Sequence, residues 1–453
     1  MNQPKPYELL CGTDDFEGAA SLPVLPPFAE SVLSFLGSVS SGLLKDQEAR
    51  AYPDVATFAF FCRRANLDRF RQNYGPALSN RLGRGLTFHI APSNVPINFA
   101  YSLASALLAG NPCIVKASSL DFPQTRIVCR ALRTAGTNAA DLQPADGEGL
   151  QSPQAPNRLS LLPYVNVITY PRHRQDITER LSALCAVRLI WGGDETIGRA
   201  RQAPLPPQSF DVTFADRYSL LAIRASAIEM MDDKALAALA QGFYNDTFLT
   251  DQNACSSPRL VYWVADGQTE AGANARDIRE RFWRAVYAYA APRYPIQPVA
   301  AVDKLTALYR ACAKAMDSLP VTVGRASFPL AGGYDQKGGL ETEPQAPVLP
   351  PDNLITRVQV DALTRPVEEL RCGGGFFVEY VDRDMEALAP AVRRKFQTLS
   401  YIGFDSQELR SWVLKHGLSG IDRIVPVGHT MDFSLTWDGT DLIRTLSRAI
   451  ETQ

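Results

Sequence analysis

From Leu86 onward, short apolar runs alternate with longer amphipathic ones, and this alternation limits the fold more than any other feature of the chain. LTFHIAP (Leu86–Pro92) precedes a helical stretch Asn98–Ala109, and PCIVKAS (Pro112–Ser118) precedes another from Gln124. NVITY (Asn166–Tyr170) leads to a polar helix from Gln175, and VRLIWGG (Val187–Gly193) runs into DETIGRARQ. That rhythm predicts an α/β fold with parallel sheets flanked by helices. A second series opens at YSLLAI (Tyr218–Ile223), with a helical pattern over Ser226–Phe243 and the strand-like RLVYWV (Arg259–Val264). Two α/β lobes are therefore expected to meet near residue 218. FFVEYV (Phe376–Val381) and DRIVPVG (Asp422–Gly428) follow, and the tail from residue 422 is expected to rejoin the first lobe. Three Pro-rich or Gly-rich segments, Pro144–Pro156, Pro204–Pro207 and Glu343–Pro351, read as surface connections.

With 453 residues, 46% hydrophobic and 21% charged, the chain is long enough to hold a cleft between lobes. A net charge of −2 supplies no field that would gather nucleic acid. The longest mildly apolar stretch, Phe99–Gly110, is too short and too rich in Ala and Ser to span a bilayer. The start, MNQPKPYELLCGTDDFEG, lacks a basic segment followed by an apolar core, so a cytoplasmic location is expected. Eight cysteines occur with no CxxC pair, and four histidines with no HExxH arrangement. No metal centre is expected, and most of the cysteines should be reduced packing residues, with one reactive.

Four segments carry candidate chemistry. In TDQNACSSPRL, Cys255 sits in a polar loop between a helix and a strand, where a rigid scaffold can present a thiol to substrate. The attacking species is a thiolate, so the loop must favour the anion. In HIAPSNVPINFA, a strand ends at Pro92 and Asn94 lies at the turn that follows, where its amide could donate to a developing oxyanion; the alternative is that Ser93 or Asn94 caps the next helix. In VKASS, Lys116 sits just past an apolar strand and could reach a nucleotide ribose or phosphate, or could simply be solvated. In WGGDETIGR, a glycine pair leads into a helix start, which suits the approach of a pyrophosphate or merely a turn.

Taken in this order, HIAPSNVP, WGGDE, DQNACSSPR and the closing QTLSYIGF and GIDRIVPVGHTMDFSLTWDGTDLIRTLSR resemble the aldehyde dehydrogenase superfamily, and within it the bioluminescence-type (LuxC-like) acyl-CoA reductases. The resemblance runs from about Leu82 to the C-terminus; the first 80 residues match less distinctly. It implies an aldehyde dehydrogenase-like fold with three parts: an N-terminal segment and nucleotide-binding lobe over 1–217, a catalytic lobe over 218–421, and a C-terminal return over 422–453, with a small bridging extension used for oligomerisation. It makes Cys255 the nucleophile, with Gln252 three positions before it, and Asn94 an oxyanion donor. It places Lys116 and Ser118 on the adenosine ribose, and Gly192, Gly193 and Glu195 on the turn facing the cofactor. A homo-oligomer, and an acyl-activating synthetase or acyltransferase subunit as partner, are also implied.

One departure sharpens the assignment. Aldehyde-oxidising members carry a glutamate that activates hydrolytic water; here FADRYS puts Phe214 in its place, with Asp216 nearby as an alternative. After Lys116 come Ala117, Ser118 and Ser119, with no acid until Asp121, so NADPH is the expected cofactor. The expected reaction is reduction of an acyl-CoA or carrier-bound acyl thioester to an aldehyde through an acyl-Cys255. The alternatives are oxidation of an aldehyde to an acid and a catalytically silent, acyl-holding subunit.

Overall fold

Strands that are apolar along their whole length can be buried on both faces, and the chain uses them to build two six-stranded sheets, one in each of two structural units. The computed structural model describes residues 5–140, 160–266, 273–318, 353–360, 362–363 and 367–452. The expected connections at Pro144–Pro156 and Glu343–Pro351 lie outside the described residues.

The first unit comprises Met1–Asp216 and Phe433–Gln453. Its sheet runs in the order Glu8–Cys11, Val165–Thr169, Cys113–Lys116, Thr87–Ile90, Val187–Trp191, Phe210–Phe214. Every neighbouring pair is parallel except the first. From Thr87–Ile90 the chain steps outward to one side and then returns to the other, so the order reverses there and a crevice opens at the carboxyl ends of the strands. Helix Asn98–Leu108, within the stretch too short for a membrane, is buried from Phe99 to Leu108. Its Ala and Ser residues let it lie against the sheet; Ser105 satisfies its hydroxyl on the Tyr101 carbonyl at 2.8 Å. Among the described residues no helix is long and apolar enough to cross a membrane.

The N-terminal 80 residues, indistinct in sequence, supply the antiparallel edge strand Glu8–Cys11 and, after the short helix Phe16–Ser21, the longer helices Glu30–Lys45, Pro53–Phe61 and Arg64–Tyr74. Val32, Leu33, Leu36 and Val39 of Glu30–Lys45 enter the core shared with Asn98–Leu108. The C-terminal segment closes this unit: Ser447–Ala449 pairs with Arg81–Gly83, and the Asn111 amide donates to the Leu446 carbonyl at 2.9 Å. A short hairpin, Thr436–Trp437 with Thr440–Asp441, precedes it.

The second unit, Arg217–Asp432, carries an all-parallel sheet in the order Thr356–Gln359, Phe376–Asp382, Pro258–Val264, Tyr218–Arg224, Phe396–Ile402, Arg423–Pro426. This corrects the expected return at residue 422. Arg423–Pro426 is hydrogen-bonded beside Phe396–Ile402, so the chain leaves this unit only at Phe433. The single helix expected over Ser226–Phe243 is two, Ala225–Met230 and Asp233–Thr247. Asp232 breaks it, its carboxylate accepting the Ala235 N–H as an N-cap. Phe243, Tyr244 and Phe248 pack against Phe282, Trp283, Tyr289, Tyr294 and Phe377 as core.

A buried carboxylate organises that core. Glu379 is 2% exposed; its Oε1 accepts Trp263 Nε1 at 2.9 Å and Trp283 Nε1 at 2.7 Å, and its Oε2 accepts Arg357 Nε at 2.7 Å. Arg357 in turn donates to Glu280 at 2.8 Å. Removing one partner leaves the other charge buried and two indole N–H groups unpaired. Glu379→Leu is therefore expected to lower stability by about 3–5 kcal/mol in a denaturant titration, and a loss under about 1 kcal/mol would show the network to be dispensable.

Candidate active site

The crevice of the first unit gathers most of the residues singled out in sequence. Asn94, Lys116, Ser118, Gly192 and Gly193 line one cleft of about 190 Å³ at the carboxyl ends of Thr87–Ile90, Cys113–Lys116 and Val187–Trp191. Asn94 is exposed there, and the helix-cap alternative fails: the N-cap of Asn98–Leu108 is Ile97, with no side-chain cap. Lys116 is half-buried, with its ammonium 5.1 Å from the centre of the Tyr170 ring. Desolvation, reinforced by the charge of Arg172, holds its pKa below the usual lysine value. Ser118 donates to the Ser93 carbonyl at 3.3 Å, tying the two loops at the cleft mouth. Nothing lies within 4 Å of the place a Cβ on Gly193 would occupy, so the backbone at the start of helix Asp194–Ala200 is bare toward an incoming group.

Glu195 lies on the exposed face of that helix, paired with Arg199 at 2.7 Å and Arg172 at 3.6 Å. Both arginines line the cleft, and none of the lining residues is acidic. Sequence reasoning missed both; the signals were the PRHR run after NVITY and the helical phase of Arg199 in DETIGR.

The cleft wall is set by a directional hydrogen-bond chain. Trp191 Nε1 can only donate, and does so to Ser102 Oγ at 2.9 Å. At the far end the Pro112 carbonyl can only accept the Thr87 proton, so Thr87 Oγ1 accepts His89 Nε2–H at 2.8 Å and the neutral ring's Nδ1 accepts the Ser102 proton at 2.6 Å. Thr87 passes its own proton to the Pro112 carbonyl at 3.1 Å. Burial pulls His89 down to about 3, so it stays neutral in this single tautomer. Trp191 then stacks on Phe214, ring centroids 3.7 Å apart. Phe214, expected from sequence to stand for the hydrolytic glutamate with Asp216 as the alternative, is a buried wall of this unit.

Cys255 stands in the second unit, on the loop between Phe248–Thr250 and strand Pro258–Val264. Asp251 and Gln252 take left-handed backbone angles, φ 51° and 58°. Gln252 is fully buried: its Nε2 donates to the Pro258 and Phe376 carbonyls at 2.9 and 3.0 Å, and its Oε1 accepts Gly375 and Phe376 N–H, both at 3.0 Å. Its role is to anchor the loop. Gly375 is required opposite it, because at φ 88° a Cβ would fall 2.5 Å from the Leu354 carbonyl. Ser219 Oγ donates to the Cys255 carbonyl at 2.7 Å, and Gln397 Nε2 lies 3.3 Å from Cys255 Sγ. Ser256 donates to the Met431 sulfur at 3.6 Å, and the loop carrying Met431 is held by Asp246, which accepts Gly428 and Thr430 N–H at 2.7 and 3.0 Å.

Among the described residues, Cys255 and Cys372 are the thiols that are partly exposed. Cys11, Cys62, Cys113, Cys129 and Cys185 are buried, which raises their pKa values and disfavours the thiolate. Cys372 is partly exposed, and burial raises its pKa as well. Among the described residues no group of three His, Cys, Asp or Glu is placed to hold a metal ion.

Comparison with known proteins agrees with this layout. Solved structures with the same fold include a NAD-dependent benzaldehyde dehydrogenase from Corynebacterium glutamicum (TM-score 0.54, 15% identity, 96% of this chain and 86% of that one). Another is the Delta-pyrroline-5-carboxylate dehydrogenase from Mycobacterium tuberculosis (TM-score 0.55, 16% identity, 96% and 80%). The fold is thus that of the aldehyde dehydrogenases. In sequence, the chain is 30% identical over 186 residues to a long-chain acyl-protein thioester reductase from Aliivibrio fischeri, covering 40% of this chain and 33% of that one. It is 27% identical over 195 residues to a second such reductase from Photobacterium leiognathi, covering 42% and 34%. The matched stretch spans about a third of the length of each relative. The family model "Acyl-CoA reductase (LuxC)" matches residues 58–300, more than half of the chain, and the chain therefore belongs to the LuxC acyl-CoA reductase family.

Proposed function

We propose that this protein reduces acyl thioesters, carried on coenzyme A or on a protein, to aldehydes with NADPH, through an acyl-Cys255 intermediate. The observation that carries the reading is the setting of Cys255: a partly exposed thiol on a loop pinned by a buried amide, with an amide donor at its sulfur. The relatives' activity as thioester reductases supports the same substrate class.

The Cys255 thiolate attacks the acyl carbon, and the carbonyl π electrons move to oxygen, where Asn94 is the proposed donor. Collapse of this intermediate expels the carrier thiolate and leaves the acyl group on Cys255. The cofactor supplies the hydride that reduces the acyl carbon. The resulting thiohemiacetal oxyanion takes a proton and then collapses, releasing aldehyde and returning the thiol. Phe214 supports acyl transfer over hydrolysis, since a hydrocarbon ring cannot activate water.

The first unit's cleft fits a nicotinamide dinucleotide: it lies at the reversal of strand order, beside a bare glycine turn and a desolvated lysine. Lys116 and Ser118 would hold the adenosine ribose, with Gly192, Gly193 and Glu195 at the turn facing the cofactor. The three cations Lys116, Arg172 and Arg199 support a 2′-phosphate there, which would take the two arginines from their exposed partner Glu195.

Three outcomes test this. With a panel of acyl-CoA thioesters, Cys255→Ala should abolish both acyl labelling and NADPH oxidation, by at least about a thousandfold; retained turnover would overturn the mechanism. Asn94→Ala should lower kcat by about a hundredfold or more with little change in acyl-CoA KM, which an unchanged kcat would refute. Arg172→Ala should raise KM for NADPH about tenfold while leaving KM for NADH within about twofold; equal effects on both cofactors would remove Arg172 from the 2′-phosphate site.

A further inference from the structure

We propose that Gln397 is a catalytic residue, whose side-chain amide holds Cys255 as the thiolate by donating to its sulfur. The inference rests on Cys255 being the nucleophile.

Gln397 Nε2 lies 3.3 Å from Cys255 Sγ, within donor distance of a sulfur acceptor, and the glutamine is 2% exposed, so water does not compete for the amide. Thr398 Oγ1 donates to Gln397 Oε1 at 3.5 Å, which leaves the N–H₂ end toward the sulfur. The backbone explains how a strand residue comes to aim at a neighbouring loop. Pairing of Phe396–Ile402 with Tyr218–Arg224 shifts register between Phe396 and Leu399, the interval that contains Gln397 and Thr398. Such an irregularity turns a side chain out of the regular alternation and is typical beside active sites. The same interval is bonded to the nucleophile's own backbone: Ser219 Oγ accepts the Thr398 N–H at 3.2 Å and donates to the Cys255 carbonyl at 2.7 Å. The sulfur and the carbonyl of Cys255 are thus both held from the two adjacent strands.

Charged side chains near the cysteine loop include Arg259, Asp251 and Asp246. Arg259 donates to the Gln252 and Cys372 carbonyls, both at 2.8 Å. Asp251 accepts the Tyr294 hydroxyl at 2.8 Å, and Asp246 accepts the Gly428 and Thr430 N–H groups. A neutral amide stabilises an anion without titrating itself. Gln397 therefore acts as a donor and not as a base, and no proton is transferred through it. A hydrogen bond to a charged acceptor is strong enough to raise the thiolate fraction about ten- to a hundredfold at neutral pH.

The test measures alkylation of Cys255 by iodoacetamide from pH 6 to 10, followed on the Cys255 peptide by mass spectrometry, in the wild type and in Gln397→Met and Gln397→Glu. Methionine keeps the length without the donor; glutamate places a carboxylate beside the sulfur. The expected result is an alkylation profile displaced to higher pH, with the rate at pH 7 falling about tenfold in Gln397→Met and further in Gln397→Glu, and the rates converging where the thiol is fully ionised. Circular dichroism and the denaturation midpoint verify the fold; if Gln397→Met fails to fold, the isosteric Gln397→Glu decides alone. Profiles unchanged from wild type in the folded variants would overturn the assignment. The parent reading fails separately: if wild-type protein fully alkylated at Cys255 still reduces acyl-CoA, Cys255 is not the nucleophile, whatever the profiles show.

Discussion

The cysteine loop depends on one buried amide. Gln252 makes four hydrogen bonds with its side chain, two given and two received, and these join the loop to the starts of Pro258–Val264 and Phe376–Asp382. They compensate for a left-handed backbone at Asp251 and Gln252, a conformation costing about 1–2 kcal/mol per non-glycine residue. Backbone bonds from Asp251 and Gln252 to the Phe248 and Thr247 carbonyls, at 3.1 and 2.8 Å, support the same turn. Cys255 is therefore positioned by a residue three places earlier whose partners lie mostly on a strand more than a hundred residues away.

The first unit solves a related problem by other means. Its cleft follows from the reversal of strand order beside Thr87–Ile90, and its wall from the chain running from Trp191 through Ser102, His89 and Thr87 to Pro112. Each member can only donate or accept in one sense once the Pro112 carbonyl takes the Thr87 proton, so the histidine is a structural part, neutral and fixed. Lys116, Arg172 and Arg199 line the cleft, and the acid that pairs with both arginines, Glu195, stands outside that lining.

Much of this was legible in the residues. Most of the strands between Leu86 and Val264, the turn at Asn94, the lysine at 116, the glycine pair and the cysteine loop appear as local patterns, because parallel strands and the turns at their ends leave marks within a few residues. The N-terminal strand Glu8–Cys11 and strand Phe210–Phe214 were missed, since each is a short edge strand with a mixed pattern. The break at Asp232 was hidden inside an uninterrupted helical periodicity. The return of the tail was placed too early because Arg423–Pro426 reads as a strand but does not show which sheet it joins.

The sequence alone determined the α/β class, the family resemblance and which residue types could do chemistry, because these reside in local periodicity and short motifs. Only the tertiary structure decided that Gln252 anchors the loop, that Gln397 lies at the Cys255 sulfur, and that Arg172 and Arg199 share a cleft with Lys116. Each of those facts is a contact between residues far apart in the chain. Long-range pairing is set by how the sheets register and pack, which no local pattern encodes.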